Sequence, residues 1–413
     1  MAACKIASRR LLFDQPPQSP RKPRRIRCIG LARELASDLA SDLAPDLHDG
    51  SGDLGLTHVR NESAGAPDIP APGLHLFCCR RRALRKPARR DYWMLPPWST
   101  AAAVTDDVPF DKTFDLVPDR PKEVAPGVRA VVANNPGPFT FKGTMSYILG
   151  RGKVAIVDPG PDDDAHVAAL LDAVRGETVT HIFVTHTHRD HSPAVPKIKA
   201  ATGAEVLAEG PHRAARPVHI GDTRRLDASG DMEFRPDTAL KDGDTLRGDG
   251  WTIEAVTTPG HCANHMAFAY KEGDLLFAGD HVMAWSTTVV APPDGAMSDY
   301  MASLEKLARR REPTYLPGHG APVRDAQRYV LFLIRHRQGR EASILHRLGK
   351  GAADVPTIVK AVYIGLDPRL VGAAGLSTLA HLEDLVTRGL VATDGPSSIN
   401  GTYRLTERPR GGG

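Results

Sequence analysis
The segment Thr185-His186-Thr187-His188-Arg189-Asp190-His191 carries four metal-competent side chains, His186, His188, Asp190 and His191, within six positions. It follows the apolar run Ile182–Val184 directly. Imidazoles and carboxylates packed this densely are hard to satisfy as ordinary core residues. Side chains at i and i+2 of an extended segment point the same way, so His186 and His188 can grip one ion together. Asp190 and His191, at the turn beyond, can reach a second. Imidazole and carboxylate donors without thiolate suit zinc, iron or manganese rather than a structural cysteine-type zinc site. Three further candidates follow apolar runs on polar turns: His261 after Thr258-Pro259-Gly260, Asp280 after Leu275-Leu276-Phe277-Ala278-Gly279, and His319 in Pro317-Gly318-His319-Gly320. Glycine beside a strand end lets backbone approach a bound ion or substrate closely.

His-x-His-x-Asp-His, followed by Pro-Gly-His, Gly-Asp and Pro-Gly-His-Gly, resembles the metallo-β-lactamase superfamily in its two-metal hydrolase form, over residues 128–335. The resemblance implies an αββα sandwich with two divalent metal ions, zinc as the expected metal, in a cleft at the sheet edges. By the same likeness one ion takes His186, His188 and His261, the other takes Asp190, His191 and His319, and Asp280 bridges both. Two such cations lower the pKa of a shared water, so that a metal-bound hydroxide attacks near neutral pH while one ion polarises the scissile oxygen. Asp190 is the expected catalytic side chain, orienting the nucleophile or moving its proton as well as ligating; ligation alone is the plainer alternative. Asp158, before Pro159-Gly160, either holds a ligand histidine from behind or caps a loop.

A closer likeness is to the β-lactamase-like protein 2 group. It rests on Asn135-Pro136-Gly137-Pro138-Phe139-Thr140, Gly143-Thr144-Met145-Ser146-Tyr147, Gly279-Asp280-His281-Val282-Met283, Thr287-Thr288-Val289 and Tyr300-Met301-Ala302-Ser303-Leu304. Ser192-Pro193 departs from that group's Ser-Gly-Gly and alters a turn, not a ligand. Among the neighbours, Cys262 reads as a small buried residue pointing away from His261, and His265 and His281 as packed or hydrogen-bonding histidines. His166 reads as part of a surface helix, and His181 has no assigned role.

These residues need a scaffold of short strands and covering helices. Val128–Ala133, Met145–Leu149 and Val154–Val157 are predicted strands of a meander, followed by strands at Val179–Val184, Ala204–Ala208, Thr252–Val256, Met266–Tyr270 and Leu275–Ala278. Helices are predicted at Asp163–Arg175, Pro193–Ala201, Ser298–Arg311 and Tyr329–Arg347. The α/β class follows from this mixture. Three domains are expected: a basic leader at 1–93, a catalytic domain at 94–335, and a linking helix with a small winged-helix domain at 336–413. In the last, Leu376, Leu379, Leu382 and Leu385 form an apolar stripe, Gly389 ends the helix, and Leu390-Val391-Ala392 and Tyr403-Arg404-Leu405 flank a polar tip. This tail resembles the winged helix of the same group. From Glu341 onward it holds eight basic and seven acidic residues, so specific DNA binding is not expected and a role in shaping the cleft or an interface is.

The whole chain of 413 residues has a net charge of +4, but residues 1–93 hold 17 Lys+Arg against 10 Asp+Glu, so the basic character belongs to the leader. That leader reads as disordered low complexity, as an RNA-contacting arm, or as an organelle-targeting peptide; the abrupt change of composition also fits a protein starting at Met94. No apolar run reaches the roughly 18–20 residues of a membrane span. Four of the five cysteines lie in the leader, and the usage fits a reducing, cytoplasmic setting. The substrate is expected to be a small molecule or single-stranded nucleic acid, with phosphodiesters slightly favoured because Arg213, Arg216, Arg224 and Arg225 lie between the first motifs. A thioester or lactone hydrolase is the alternative, and a non-enzymatic winged-helix interaction protein a third. Oligomeric state is not legible.

Overall fold
The computed structural model describes residues 108–219 and 229–407. The leader, Arg224 and Arg225 therefore lie outside the described residues. One seven-stranded sheet contains, in chain order, β1 (Lys122–Ala125), β2 (Val128–Val132), β3 (Met145–Leu149), β4 (Lys153–Val157), β5 (Thr178–Phe183), β6 (Glu205–Ala208) and β7 (Thr238–Ala239). A six-stranded sheet holds β8 (Thr245–Arg247), β9 (Thr252–Thr257), β10 (Met266–Tyr270), β11 (Leu275–Gly279), β12 (Thr314–Pro317) and β13 (Val323–Arg324), in the spatial order β13-β12-β11-β10-β9-β8.

Period-two alternation explains why both sheets are covered on both faces. Ala155 and Val157 of β4 point to the core between the sheets, against Trp251, Phe268 and Phe277. Val154 and Ile156 point outward, under helices α1 (Asp164–Ala173) and α2 (Val195–Thr202). On the second sheet Leu275 and Phe277 face the inter-sheet core. Leu276 and Ala278 face outward, under α3 (Met297–Leu307) and α4 (Ala326–Leu348). The result is the expected αββα sandwich. Among these described residues no helix is long and apolar enough to cross a membrane.

The helix ends carry their own chemistry. Asp163 caps α1 by accepting from the amides of Ala165 and His166. Tyr300, Leu304 and Leu307 of α3 are buried, as their spacing predicts. His166, expected on a surface, is instead fully buried, with Nε2 2.9 Å from Ser146 Oγ and Nδ1 3.2 Å from Asp119 Oδ1. Its two polar partners come from separate segments, which is why the helix period alone misplaced it.

Past α4, α5 (Val355–Val362) and α6 (Val371–Thr387) pack over a three-stranded sheet of β14 (Ala353–Asp354), β15 (Val391–Thr393) and β16 (Thr402–Leu405). This is the winged helix. Gly389, at φ +73°, ends α6. Leu379, Leu382 and Leu385 are buried in its own small core, while Leu376 is half-buried. β14 was not anticipated, because two residues carry no periodicity. Ala380 of α6 joins the core beneath α3 and α4, and the Glu383 carboxylate pairs with Arg216 at 2.9 Å. The winged helix thus holds the loop that follows β6.

Candidate metal centre
Strand direction gathers the site. β4, β5 and β6 run parallel, as do β11 and β12, and β9 is antiparallel to β10, which is antiparallel to β11. The carboxyl ends of β5, β9, β11 and β12 therefore open on one edge of the sandwich. The residues just past those ends are the His186–His191 motif, His261, Asp280 and His319.

All seven sequence-predicted side chains converge there. His186, His188 and His261 form a first triad and Asp190, His191 and His319 a second, with the donor atoms of each within 4.8 Å of one another. Asp280 lies between them, 3.2 Å from His319 Nε2, 3.6 Å from His191 Nε2 and 3.7 Å from His261 Nε2.

The back of each ring decides what its front can do. His191 Nδ1 donates to Asp158 Oδ2 at 3.0 Å, His261 Nδ1 to the Val289 carbonyl at 2.7 Å, and His319 Nδ1 to the Gly143 carbonyl at 3.2 Å. Thr185 Oγ1 donates to Asp158 at 2.6 Å, so it accepts from His186 Nδ1 at 3.0 Å. His188 Nε2 donates to Asp294 Oδ2 at 2.6 Å. Each partner accepts a proton, so each histidine presents a bare lone pair to the cleft. Five such nitrogens and the carboxylates of Asp190 and Asp280 face one another.

With every imidazole neutral, as metal ligation requires, nothing in that set donates. His261 Nε2 and His188 Nδ1 stand 2.9 Å apart with both protons committed behind them. His186 Nε2, His191 Nε2 and Asp280 Oδ1 are buried with no hydrogen-bond partner. Buried polar atoms left so are costly unless something else pairs with them, and divalent cations in the two triads would pair with them. The residues present therefore fit a metal of the zinc, iron or manganese type.

Electrostatics point the same way. Burial pushes His186 well below the usual imidazole range, and burial with the neighbouring His188 brings His261 to about 4. At His191 and His319 burial acts in the same direction, but Asp190 and Asp280 outweigh it. His191 rises well above its usual value and His319 is pushed up to about 10. The two carboxylates draw positive charge to this position.

Several partners lie outside the donor motifs. Thr144 Oγ1 donates to Asp190 at 3.0 Å, and Asn135 orients Thr144 from both sides. Asp294 touches His188 across 106 residues, from a Pro-Pro-Asp-Gly turn that reads only as a loop. Asp158 does hold His191. Cys262 is buried and donates to Asn264 Oδ1 at 3.3 Å, yet lies close enough to His188 and Asp294 to cluster with them. His265 is hydrogen-bonded to Thr258, and His281 is buried against Tyr300 with ring centroids 4.6 Å apart. Of the arginines, Arg213 is paired with Glu209 and Arg216 with Glu383.

Gly318 shows how closely backbone lines the cage. A Cβ there would lie 2.3 Å from Asp280 Oδ1 and 2.7 Å from His191 Cε1. Gly318→Ala is expected to cost about 1–3 kcal/mol through overpacking and to lower bound metal, read by elemental analysis after gel filtration. Wild-type metal content in this variant would contradict the geometry.

Residues 139–319 match the metallo-beta-lactamase superfamily model, and residues 355–397 match the beta-lactamase associated winged helix domain. The chain is 31% identical over 228 residues to a beta-lactamase-like protein 2 homolog of Caenorhabditis elegans, covering 54% of this chain and 72% of the relative. It is 28% identical over 241 residues to an atrochrysone carboxyl ACP thioesterase of Claviceps purpurea, covering 57% and 70%. Among solved structures, a metallo-beta-lactamase family protein from Thermus thermophilus superposes with a TM-score of 0.57 at 24% identity, over 69% of this chain and all of that one. A beta-lactamase domain protein from Burkholderia ambifaria gives 0.59 at 21%, over 71% and 96%. The structures speak for the fold, the sequences for kinship. The chain belongs to the metallo-β-lactamase superfamily of hydrolases and joins that enzyme fold to its associated winged-helix domain.

Proposed function
We propose that this chain is a hydrolase working with two divalent cations, zinc by preference, on a small acyl substrate of the thioester class. The observation that carries the metal reading is the cage of five inward-facing imidazole lone pairs and two carboxylates. His186, His188 and His261 would hold one cation, Asp190, His191 and His319 the other, with Asp280 shared. Charge balance supports two: Asp158, Asp190, Asp280 and Asp294 carry four negative charges in and behind the cage, which two dications offset.

Bound there, the cations supply Lewis acidity, making hydroxide accessible near neutral pH and polarising the scissile oxygen. The chain's own residues do the rest. Asp158, Asp294 and the carbonyls of Val289 and Gly143 fix each imidazole so that the donors need no rearrangement. Asp190, its side chain 26% exposed, is the most open carboxylate of the cage. Held by Thr144, it orients the attacking water and can accept its proton.

The substrate class rests on what borders the cage. Beside His319, Phe141 stacks on Trp285 with centroids 5.0 Å apart, and a Cβ on Gly320 would meet that indole at 2.8 Å. Such a wall suits an apolar or aromatic acyl group. A phosphodiester backbone calls for open cationic groups, and Arg213 and Arg216 are already matched by carboxylates. Thioesterases among the similar sequences add weight to the acyl reading.

The test is metal content and turnover of the purified chain on an aromatic acyl-CoA, S-lactoylglutathione, a homoserine lactone, nitrocefin, a bis-aryl phosphodiester and single-stranded RNA. About two metals per chain and chelator-sensitive thioester hydrolysis are expected. RNA or phosphodiester cleavage without thioester turnover would move the protein to the nuclease-like reading.

A further inference from the structure
Behind the first triad lies a buried polar chain that none of the seven cage residues requires. Asn264 Nδ2 donates to Thr187 Oγ1 at 2.8 Å, and Thr187 Oγ1 is 2.9 Å from His212 Nδ1. His212 Nε2 faces Asp294 Oδ1 at 3.4 Å, and Asp294 Oδ2 accepts from His188 Nε2 at 2.6 Å. Ser229 Oγ adds a third contact to Asp294 at 3.3 Å. His212 and Asp294 are both buried.

The backbone around Asp294 is built to put it there. A Cβ on Gly295 would lie 2.3 Å from the Gly260 carbonyl and 2.4 Å from that of His261, so this turn lies flush against the segment carrying the third histidine. Ala296 N donates to the Gly260 carbonyl at 3.1 Å, and the Pro293 carbonyl accepts from Ala215 N at 2.8 Å. The Asp294 turn, the His261 turn and the loop carrying His212 are thereby locked together.

We infer that Asp294 is the positioning residue of the first triad: its carboxylate fixes the His188 ring in the Nε2–H tautomer, aiming Nδ1 at the point shared with His186 and His261. The inference rests on the two-cation reading above. His188 is singular among the five histidines because it faces the cleft through Nδ1, with Nε2 turned to the back. A neutral imidazole has one proton to place, and an acceptor-only group on Nε2 decides its place. His212, braced by Thr187 and Asn264, lies 3.4 Å from the second oxygen of Asp294, with no hydrogen bond between them. The inference predicts an asymmetric effect, since no contact joins Asp294 to Asp190, His191 or His319 among those described.

The test is cobalt(II) titration of the metal-free full chain, reading visible absorption and equilibrium dialysis together. Wild type is expected to take two ions. Asp294→Ala should hold one ion with unchanged affinity and bind the other about 10–100-fold more weakly, with an altered absorption band for that ion. Asp294→Asn, whose amide oxygen still accepts from Nε2, should recover most of the loss, and Asp294→Ser, too short to reach Nε2, should repeat the loss if the alanine variant does not fold. Equal affinities for both ions in wild type and the variants would overturn the inference and leave the two-cation reading standing. Loss of both ions together, in a variant whose metal-free form melts well below metal-free wild type, would mark a structural role and overturn it too. A wild-type chain that takes up no cobalt would overturn the two-cation reading and this inference with it.

Discussion
Asp280→Ala is expected to lower kcat/KM for any hydrolysed substrate by at least about 10²–10³-fold and to leave no more than one tightly held metal per chain. Asp280 approaches both triads, within 3.2 to 3.7 Å of His319, His191 and His261. Its removal leaves three imidazole lone pairs, one of the first triad and two of the second, without the carboxylate they share. The backbone around it stays anchored, because Asp280 N donates to His265 Nε2 and its carbonyl accepts from Thr288. The loss should therefore appear in turnover and metal content, with far-ultraviolet circular dichroism unchanged. Asp280→Asn separates shape from charge: it keeps the side-chain volume and should lose nearly as much. Wild-type turnover in both variants would mean the cage is not the reaction centre.

The cage was legible because its chemistry is dense in sequence. Four donors within six residues, and three more beside Gly at strand ends, leave few other uses for those side chains. The sandwich was legible because short apolar runs such as Val154–Val157 and Leu275–Ala278 are interspersed with helices, and each run is apolar throughout because both faces of its sheet are covered. What sequence reading missed depends on long-range pairing. Asp294 is an ordinary polar loop residue until the fold brings it to His188, and Asn135 and Thr144, visible as motif residues, gain their role only when the fold brings them to Asp190. His166 was misplaced for the same reason, since Ser146 and Asp119 meet it from other segments. The arginines between the first motifs show the converse: charge counted along the chain suggested an open cationic lining, and Glu209 and Glu383 match two of them in space.

Chelation is expected to lower the melting temperature by on the order of 10 °C, and excess zinc to restore it. A ligand that binds only the folded state at a thousand times its dissociation constant contributes about 4 kcal/mol, and each kcal/mol moves a domain of this order by about 2–4 °C. The effect should depend on pH, with a definite sign. In the chelated protein His319 is held up to about 10, against 6.5 for an ordinary imidazole, because Asp280 and Asp190 outweigh its burial. A raised pKa contributes stability that is fully present below about pH 6.5 and is lost as pH rises through about 10. His191 is shifted the same way. Protons thus occupy at low pH the place that the cations take at high pH, and metal binding must displace them. The gap in melting temperature between metal-loaded and chelated protein should widen steadily from pH 6.5 to pH 9. Differential scanning calorimetry across that range would show it. A gap that is constant, or that narrows as pH rises, would mean that the carboxylates do not draw cation and proton to the same position.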